Sequence, residues 1–253
     1  MIALKNINFF SSDAQHILKN ITFDIPTAKV TAIIGTSGSG KTTLLRIIAG
    51  LYEPTSGEIW IDGQNLAALP KTKQQQMRSK MAIVFQHGAL FDSLTVWENV
   101  AFPFYEQGAM PVSNMREEAE KLLEMVDLHG AADLSIDQCS GGMQMRIAIA
   151  RALASYPEVI LYDEPSSGLD PIARGLICDL VQKQQIQQRM TSVLVTHQLS
   201  AAFQISNHFV FLYEGEIIFE GTADELMEAK DPYIQRFIQP PSRSYRTTDY
   251  VRL

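Results

Sequence analysis

Cysteine is scarce in this chain, which carries only Cys139 and Cys178 among its 253 residues. Their number and spacing match neither a disulfide framework nor a zinc site. The sequence also lacks a run of about 18 apolar residues, which a transmembrane helix would need. The segment from Met1 to Asn6 has neither the basic nor the apolar region of a signal peptide. We therefore expect a cytoplasmic protein that reaches a membrane only by docking to another subunit.

Excess positive charge is missing as well, since the formal net charge is -7. A nucleic-acid-binding protein normally presents a basic face, so we expect no nucleic-acid partner. With 46% hydrophobic and 19% charged residues, the composition is that of an ordinary globular protein. The length suits one large domain or a domain divided into two lobes.

The order of apolar runs predicts an α/β protein. Residues 30–34 are almost continuously apolar, which is typical of a strand buried on both faces. Further strands are predicted by alternation or by short apolar runs at residues 2–10, 17–25, 58–63, 159–162 and 192–195, with a hairpin over 209–219. Helical spacing predicts a helix over 42–51 and a mostly helical insertion over 95–151.

A glycine-rich segment follows the buried strand and precedes the first predicted helix. It reads Gly35, Thr36, Ser37, Gly38, Ser39, Gly40, Lys41, Thr42 and is followed by Thr43. In this context the pattern is that of a P-loop, whose backbone N–H groups and helix N-terminus bind phosphates. We expect Lys41 to pair with the outer phosphates of a nucleotide and the Thr42 hydroxyl to bind Mg²⁺. A chance glycine-rich turn is the alternative.

Two adjacent carboxylates, Asp163 and Glu164, end another predicted strand. Ligands of open parallel sheets bind at the carboxyl ends of the strands, where this pair would lie. We expect Asp163 to orient Mg²⁺ directly or through water. Glu164 is the candidate base that positions the attacking water and helps to deprotonate it.

A second phosphate-binding nest is predicted at Ser140, Gly141 and Gly142, where two glycines begin a helix. One nucleotide site needs only one P-loop, so this nest is expected to serve the nucleotide of another copy. Otherwise it is only the start of a glycine-containing helix.

Three single residues follow predicted strands in a suggestive order. Gln86 could reach Mg²⁺ or the water, His197 could contact the terminal phosphate, and Asp170 follows the acidic pair. Alone, each would be interpreted as structural or solvated, but their order along the chain favours catalytic or nucleotide-contacting roles.

Together these motifs resemble the ATPase subunits of ATP-binding cassette (ABC) transporters over about residues 1–238. The resemblance implies a P-loop NTPase fold: a RecA-like core with an antiparallel β subdomain, at about residues 1–87 and 152–238, and an inserted helical lobe at about 88–151. It also implies a head-to-tail dimer with two ATP molecules. In that dimer Ser140, Gly141, Gly142 and Asp170 would contact the nucleotide bound to the other copy.

Three positions depart from the family pattern. Cys139 stands where leucine is usual, and Met143 where glutamine is common. The family usually stacks a tyrosine on adenine, whereas Phe9 and Phe10 are the candidates here. Because Phe9 alternates with Ile7 and reads as core, Phe10 is the predicted stacking residue.

A narrower resemblance comes from F-Q-x-G-A-L-F at residues 85–91 and T-V-x-E-N-V at 95–100. These segments, with S-G-G-M at 140–143 and S-G-L-D-P-I at 167–172, are similar to the ATPases of Mla-type phospholipid transporters. That similarity implies a peripheral protein at the cytoplasmic face of the inner membrane, bound to permease subunits. It further implies a lipid-binding substrate protein and a small STAS-domain partner. An importer for a polar nutrient such as an amino acid, or a soluble ABC ATPase without a transport role, are the alternatives.

Two further segments are candidates for partner contact. Ala89, Leu90, Phe91 and Trp97 could line a groove for the permease, or they could be local core of the helical lobe. Residues 239–253 form a tail in which tyrosines and arginines alternate after two prolines. Tyrosine and arginine are favoured at interfaces, so we expect this tail to contact a partner, with a disordered end as the alternative.

Overall fold

The computed structural model describes residues 1–108 and 110–238, so the predicted tail at 239–253 lies outside the described residues. The strands are β1 Ile2–Phe10, β2 His16–Ile25, β3 Val30–Ile34, β4 Ser56–Ile61, β5 Gln64–Asn65, β6 Met81–Val84, β7 Val159–Asp163, β8 Thr191–Thr196, β9 His208–Tyr213 and β10 Glu216–Gly221. The helices are α1 Lys41–Ile48, α2 Lys71–Arg78, α3 Val96–Gln107, α4 Val112–Met125, α5 Gly141–Leu153, α6 Pro171–Gln188, α7 Leu199–Ile205, α8 Ala223–Glu228 and α9 Pro232–Ile238.

The strands form two sheets. The larger has the order β10-β9-β3-β8-β7-β6, and its pairs from β9 to β6 are parallel. The smaller has the order β2-β1-β4-β5 and is antiparallel. Every residue of β3 and β8 is buried, as expected for central strands covered on both faces. The predicted α/β architecture with a separate antiparallel sheet is therefore confirmed.

The hairpin predicted near the C-terminus is also present. β9 and β10 pair antiparallel across Glu214 and Gly215, which both have positive φ angles, of 46° and 82°. Two consecutive residues with positive φ are the hallmark of the tight hairpin turn whose twist matches that of the strands.

Helix α1 packs between the two sheets. Its apolar side chains, such as Leu45 and Ile47, join one core with Ile7 of β1 and Val195 of β8. This packing fixes the direction of α1, whose N-terminus follows β3 after residues 35–40.

Helices α3, α4 and α5 form a helical layer within the stretch predicted to be helical. Phe104, Leu122 and Ile149, one from each helix, belong to the same core as Tyr162 of β7. A reciprocal capping box of Thr95 and Glu98 starts α3, and Gly108 with a φ of 58° ends it. Among residues 1–108 and 110–238, no helix combines the length and the apolarity needed to span a bilayer.

The loop between Gln86 and α3 is held by one buried side chain, that of Asn99. Its Oδ1 accepts from the Phe91 N–H at 2.8 Å, and its Nδ2 donates to the carbonyls of Phe91, Leu94 and Thr95 at 3.1, 3.3 and 3.0 Å. Asn99 is fully buried, so its amide depends on these backbone partners for its hydrogen bonds.

We expect Asn99→Ala to lower the free energy of unfolding by about 2 kcal/mol, because it removes every hydrogen bond between this buried amide and the loop backbone. Urea denaturation followed by circular dichroism measures this loss. Asn114→Ala is the control, since Asn114 is an exposed residue of α4, and its change should stay below about 0.5 kcal/mol. Equal stability of the two variants would contradict a structural role of Asn99 in the loop.

Candidate active site

The P-loop residues lie at the carboxyl edge of the parallel sheet, between β3 and α1. Gly40 precedes α1 with a φ of 102°, and a Cβ atom there would lie 2.8 Å from Leu18 Cδ2, so only glycine fits without displacement. Lys41 is 7% exposed, and its Nζ donates to the carbonyls of Gly35 and Thr36 at 3.0 and 2.8 Å. The lysine side chain is thus held against the P-loop, with which it is predicted to bind phosphates.

Burial and nearby carboxylates act on Lys41 in opposite directions. Desolvation lowers the pKa of Lys41, whereas Glu164 and Asp163 raise it, with desolvation as the larger effect. A partly desolvated cation that donates to carbonyl oxygens is well suited to receive the strongly anionic phosphates of ATP.

Thr42 and Asp163 form the part of the site that suits a metal ion. The Thr42 hydroxyl donates to Asp163 Oδ1 at 2.9 Å. Burial raises the pKa of Asp163, and the hydrogen bond from Thr42 opposes that rise. A hydroxyl and a carboxylate side by side are hard oxygen donors of the kind that Mg²⁺ prefers next to phosphates. The donor set therefore fits the predicted ion.

Glu164 follows β7 with a φ of 50°, in the left-handed region that few residues other than glycine adopt. Its Oε1 accepts from the backbone N–H of His197 at 3.0 Å and lies 2.7 Å from His197 Nδ1. Its Oε2 accepts from the Thr196 hydroxyl at 3.1 Å. The carboxylate is therefore oriented by residues at the end of β8.

A cleft of about 380 Å³ brings most of the predicted residues together. Its lining consists of Ile17, Ser37, Gly38, Gly40, Lys41, Thr42, Thr43, Gln86, Glu164 and His197. Asp163 meets the cleft through Thr42, and Gln86 Nε2 donates to Ser167 Oγ at 3.4 Å. The arrangement places the P-loop, the pair predicted to bind a metal ion and the candidate base around one space, as hydrolysis of a nucleotide requires.

The two phenylalanines at the end of β1 have different surroundings. Phe9 packs against the core between the sheets and stacks on Tyr52 at 5.6 Å. Phe10 is 43% exposed and stacks on His16 at 4.1 Å, but it is not among the residues that line the cleft. Adenine stacking by Phe10 stays a prediction.

Ser140, Gly141 and Gly142 begin α5, where Met143 N–H donates to the Ser140 hydroxyl. A Cβ on Gly142 would lie 2.9 Å from that of Ala173, so glycine permits the close contact between the amino ends of α5 and α6. Asp170 caps α6 by accepting from the N–H groups of Ile172 and Ala173. Ser140, Gly141, Gly142 and Asp170 are not among the residues that line the cleft.

The apolar residues after Gln86 were predicted either to line a groove for the permease or to be core of the helical lobe, and the structure shows both partly buried and exposed members. Leu90 and Trp97 pack against the helical core, whereas Phe91 is 41% exposed. The Phe91 ring lies 4.6 Å from the ring of Phe102, and the guanidinium of Arg151 lies 5.7 Å from its centroid. Ala89 is exposed as well.

Sequence reasoning missed two residues of the site. Ile17 lines the cleft beside the P-loop, and Thr196 bonds Glu164. Thr196 could have been predicted from its position immediately before His197, because the last residue of that strand lies at the same edge of the sheet as the other site residues.

Comparison with known proteins identifies the family. A family model described as ABC transporter matches residues 18–167, which is more than half of the chain. The chain belongs to the ABC transporter family. The intermembrane phospholipid transport system ATP-binding protein MlaF of Haemophilus influenzae is 36% identical to this ABC protein over 100% of the chain and 97% of the relative.

Other ABC proteins share the fold and parts of the sequence. The methionine import ATP-binding protein MetN 2 of Enterococcus faecalis is 38% identical over 91% of this chain but 67% of its own length. A dimeric post-hydrolysis structure of the ATP-binding cassette MJ0796, bound to ADP and phosphate, has a TM-score of 0.79. It is 35% identical, and the match covers 88% of this chain and 98% of that one. The P-loop NTPase fold and ATP hydrolysis coupled to transport, both predicted, are thereby confirmed.

We expect Lys41→Ala to weaken ATP binding by roughly 10-fold to 100-fold, since a hydrogen bond to a charged group contributes about 1.5–3 kcal/mol. Turnover should fall to background. Calorimetric titration with ATP and an assay of released phosphate measure the two effects. Lys80→Ala is the control, because the Lys80 side chain lies away from the cleft in an exposed ion pair with Glu158. Unchanged ATP affinity and turnover in the Lys41 variant would refute the assignment.

Proposed function

We propose that this ABC ATPase powers the movement of phospholipid between the inner and outer membrane. The similarity to MlaF, which extends over nearly the whole of both chains, carries the proposal. The similarity to the methionine importer ATPase leaves a third of that protein unmatched. Segments 85–91 and 95–100, which border the helical layer, agree with the same choice. An importer of a polar nutrient is the second candidate.

The same proposal extends to partners and place. The chain binds permease subunits at the cytoplasmic face of the inner membrane and works with a lipid-binding substrate protein and a small STAS-domain protein. Exposed Phe91 and Ala89, at the edge of the loop held by Asn99, supply an apolar surface for the permease. Residues 239–253 are assigned to partner contact on composition alone.

The proposed division into lobes follows the packing. Residues 1–87 and 152–238 form the nucleotide-binding core around the two sheets, and residues 88–151 form the helical lobe. Support comes from the shared core of α3, α4 and α5, which meets the large sheet along β7.

The proposed mechanism assigns each polar group of the cleft one task. Lys41 and the P-loop amides bind the β- and γ-phosphates of ATP, and Thr42 and Asp163 hold Mg²⁺, with Gln86 as a further ligand or a contact to the water. The ion supplies neutralisation of charge on the phosphate oxygens. Glu164 orients the attacking water and takes up its proton. His197 faces the cleft with a half-exposed ring and contacts the terminal phosphate.

The second half of each site is proposed to come from another copy of the chain. Ser140, Gly141 and Gly142 form a helix-start nest away from this chain's own cleft, and Asp170 lies beside them at the start of α6. A head-to-tail dimer places this nest over the partner's nucleotide. The dimeric state of the similar cassette MJ0796 supports this arrangement.

Glu164→Gln is expected to lower turnover by about 100-fold or more, because the amide keeps the shape of the side chain but cannot accept the proton. ATP affinity should remain within about 3-fold of that of the unchanged protein, since the phosphates are bound by other groups. Single-turnover assays and ATP titration separate the two quantities. Glu158→Gln, at an exposed carboxylate, is the matched control. Near-normal turnover in the Glu164 variant would remove Glu164 from its proposed role.

The transported substrate is tested with the intact complex of this chain and its membrane partners in phospholipid vesicles. ATP should drive the transfer of a labelled phospholipid out of the vesicles, and the complex that carries Lys41→Ala should transfer none. ATP-dependent uptake of a labelled amino acid, without lipid transfer, would favour the importer instead.

A further inference from the structure

Thr196 is the last residue of β8 and is fully buried. Its hydroxyl donates to Glu164 Oε2 at 3.1 Å and accepts from the backbone N–H of Gln198 at 3.0 Å. Because an N–H group can only donate and an ionised carboxylate can only accept, these two partners fix the direction of the hydroxyl proton. We propose that Thr196 is a positioning residue, which holds the carboxylate of Glu164 in the orientation needed to activate water. The inference rests on the role proposed for Glu164.

The two oxygens of Glu164 are held differently. Oε1 bonds the backbone and the ring of His197, whose side chain is 53% exposed and lines the cleft. Oε2 bonds Thr196, the donor that the described residues offer to this oxygen. Thr196 belongs to a fully buried strand and is therefore held more firmly than the exposed ring of His197.

Thr196 is itself anchored on both sides. β8 pairs in parallel with β3 and β7, and Thr196 lies opposite Ile34, the last residue before the P-loop. Beyond the strand, the side-chain oxygen of Gln198 accepts from the hydroxyl of buried Ser166 at 3.1 Å. Gln198 therefore links two parts of the site. Its backbone N–H bonds the Thr196 hydroxyl, and its side chain bonds Ser166 in the segment that follows Glu164. Such a network fixes the angle of the carboxylate as well as its location.

The geometry of a general base is demanding, because the carboxylate must lie within hydrogen-bond reach of the water that it deprotonates. A displacement of about 1 Å at a reacting group is able to reduce a rate by about 100-fold. If Thr196 positions Glu164, its loss reduces kcat and leaves KM for ATP nearly unchanged, because the phosphates are bound by the P-loop.

Thr196→Val removes the hydroxyl and keeps the shape of the side chain. We expect kcat to fall by roughly 10-fold to 100-fold and KM to change by less than about 3-fold. Thr196→Ser, which keeps the hydroxyl, should recover most of kcat. Thr191→Val is the control, because Thr191 is a buried residue of the same strand whose hydroxyl accepts from Ala28 N–H at the opposite end. Its kcat should equal that of the unchanged protein.

A double-mutant cycle with Glu164→Gln separates positioning from a general loss of structure. If Thr196 acts through Glu164, adding Thr196→Val to Glu164→Gln lowers the residual turnover by less than about 2-fold. An additive further loss, a rise in KM, or no recovery in Thr196→Ser would overturn the inference. So would a normal kcat in Thr196→Val while Glu164→Gln is inactive. Normal turnover in Glu164→Gln itself would instead refute the proposed base. Urea denaturation of every variant verifies that each one is folded.

Discussion

Parallel pairing of β3, β8 and β7 is the constraint on which the site depends. Ile34 lies opposite Thr196, and Asp163 lies opposite Val195, so the three strands end at nearly the same level of the sheet. Residues that are far apart in the chain thereby meet at one edge of the sheet. The P-loop, the acidic pair and His197 all lie there. A shift in register of one residue would turn Thr196 and Asp163 to the opposite faces and separate them from Glu164 and Thr42. The chemistry of the cleft is thus set by backbone hydrogen bonds before any polar side chain takes part.

The same edge collects charges that a protein interior disfavours. Lys41 and Asp163 are both buried, so desolvation lowers the pKa of Lys41 and raises that of Asp163. Each is compensated by a local partner: Lys41 by loop carbonyls and Asp163 by the Thr42 hydroxyl. Glu164 has its partners on β8 and the residue after it. Bonds of this kind keep the groups fixed in the absence of a ligand and are open to exchange for phosphate or metal contacts.

How far the sequence predicts this structure depends on the range of the interactions. A buried strand and a P-loop are each encoded by a short stretch of sequence. Strand β3 and the start of α1 accordingly lie where the pattern of residues 30–42 predicts them. Helix α2 was not predicted, because it has no buried residue and therefore no apolar periodicity to read. The bond from Thr196 to Glu164 joins residues 32 positions apart and depends on strand register, which no local pattern encodes. The surroundings of Phe10, stacked on His16 across a hairpin, escape prediction for the same reason.

A transport ATPase must keep the chemistry of its cleft, so only residues outside the cleft can adapt to a particular permease. The cleft residues serve ATP, which is the same for every cargo, so adaptation has to lie outside them. Segment 88–95 meets this requirement, because its backbone is fixed by Asn99 while Phe91 and Ala89 remain exposed. The segment is also tied to α5, since the Arg151 guanidinium donates to the carbonyls of Gly88 and Ala89. α5 begins at Ser140, the residue proposed to contact the nucleotide of the second copy. A force applied by the permease at Phe91 would therefore reach the proposed dimer contact through a single helix.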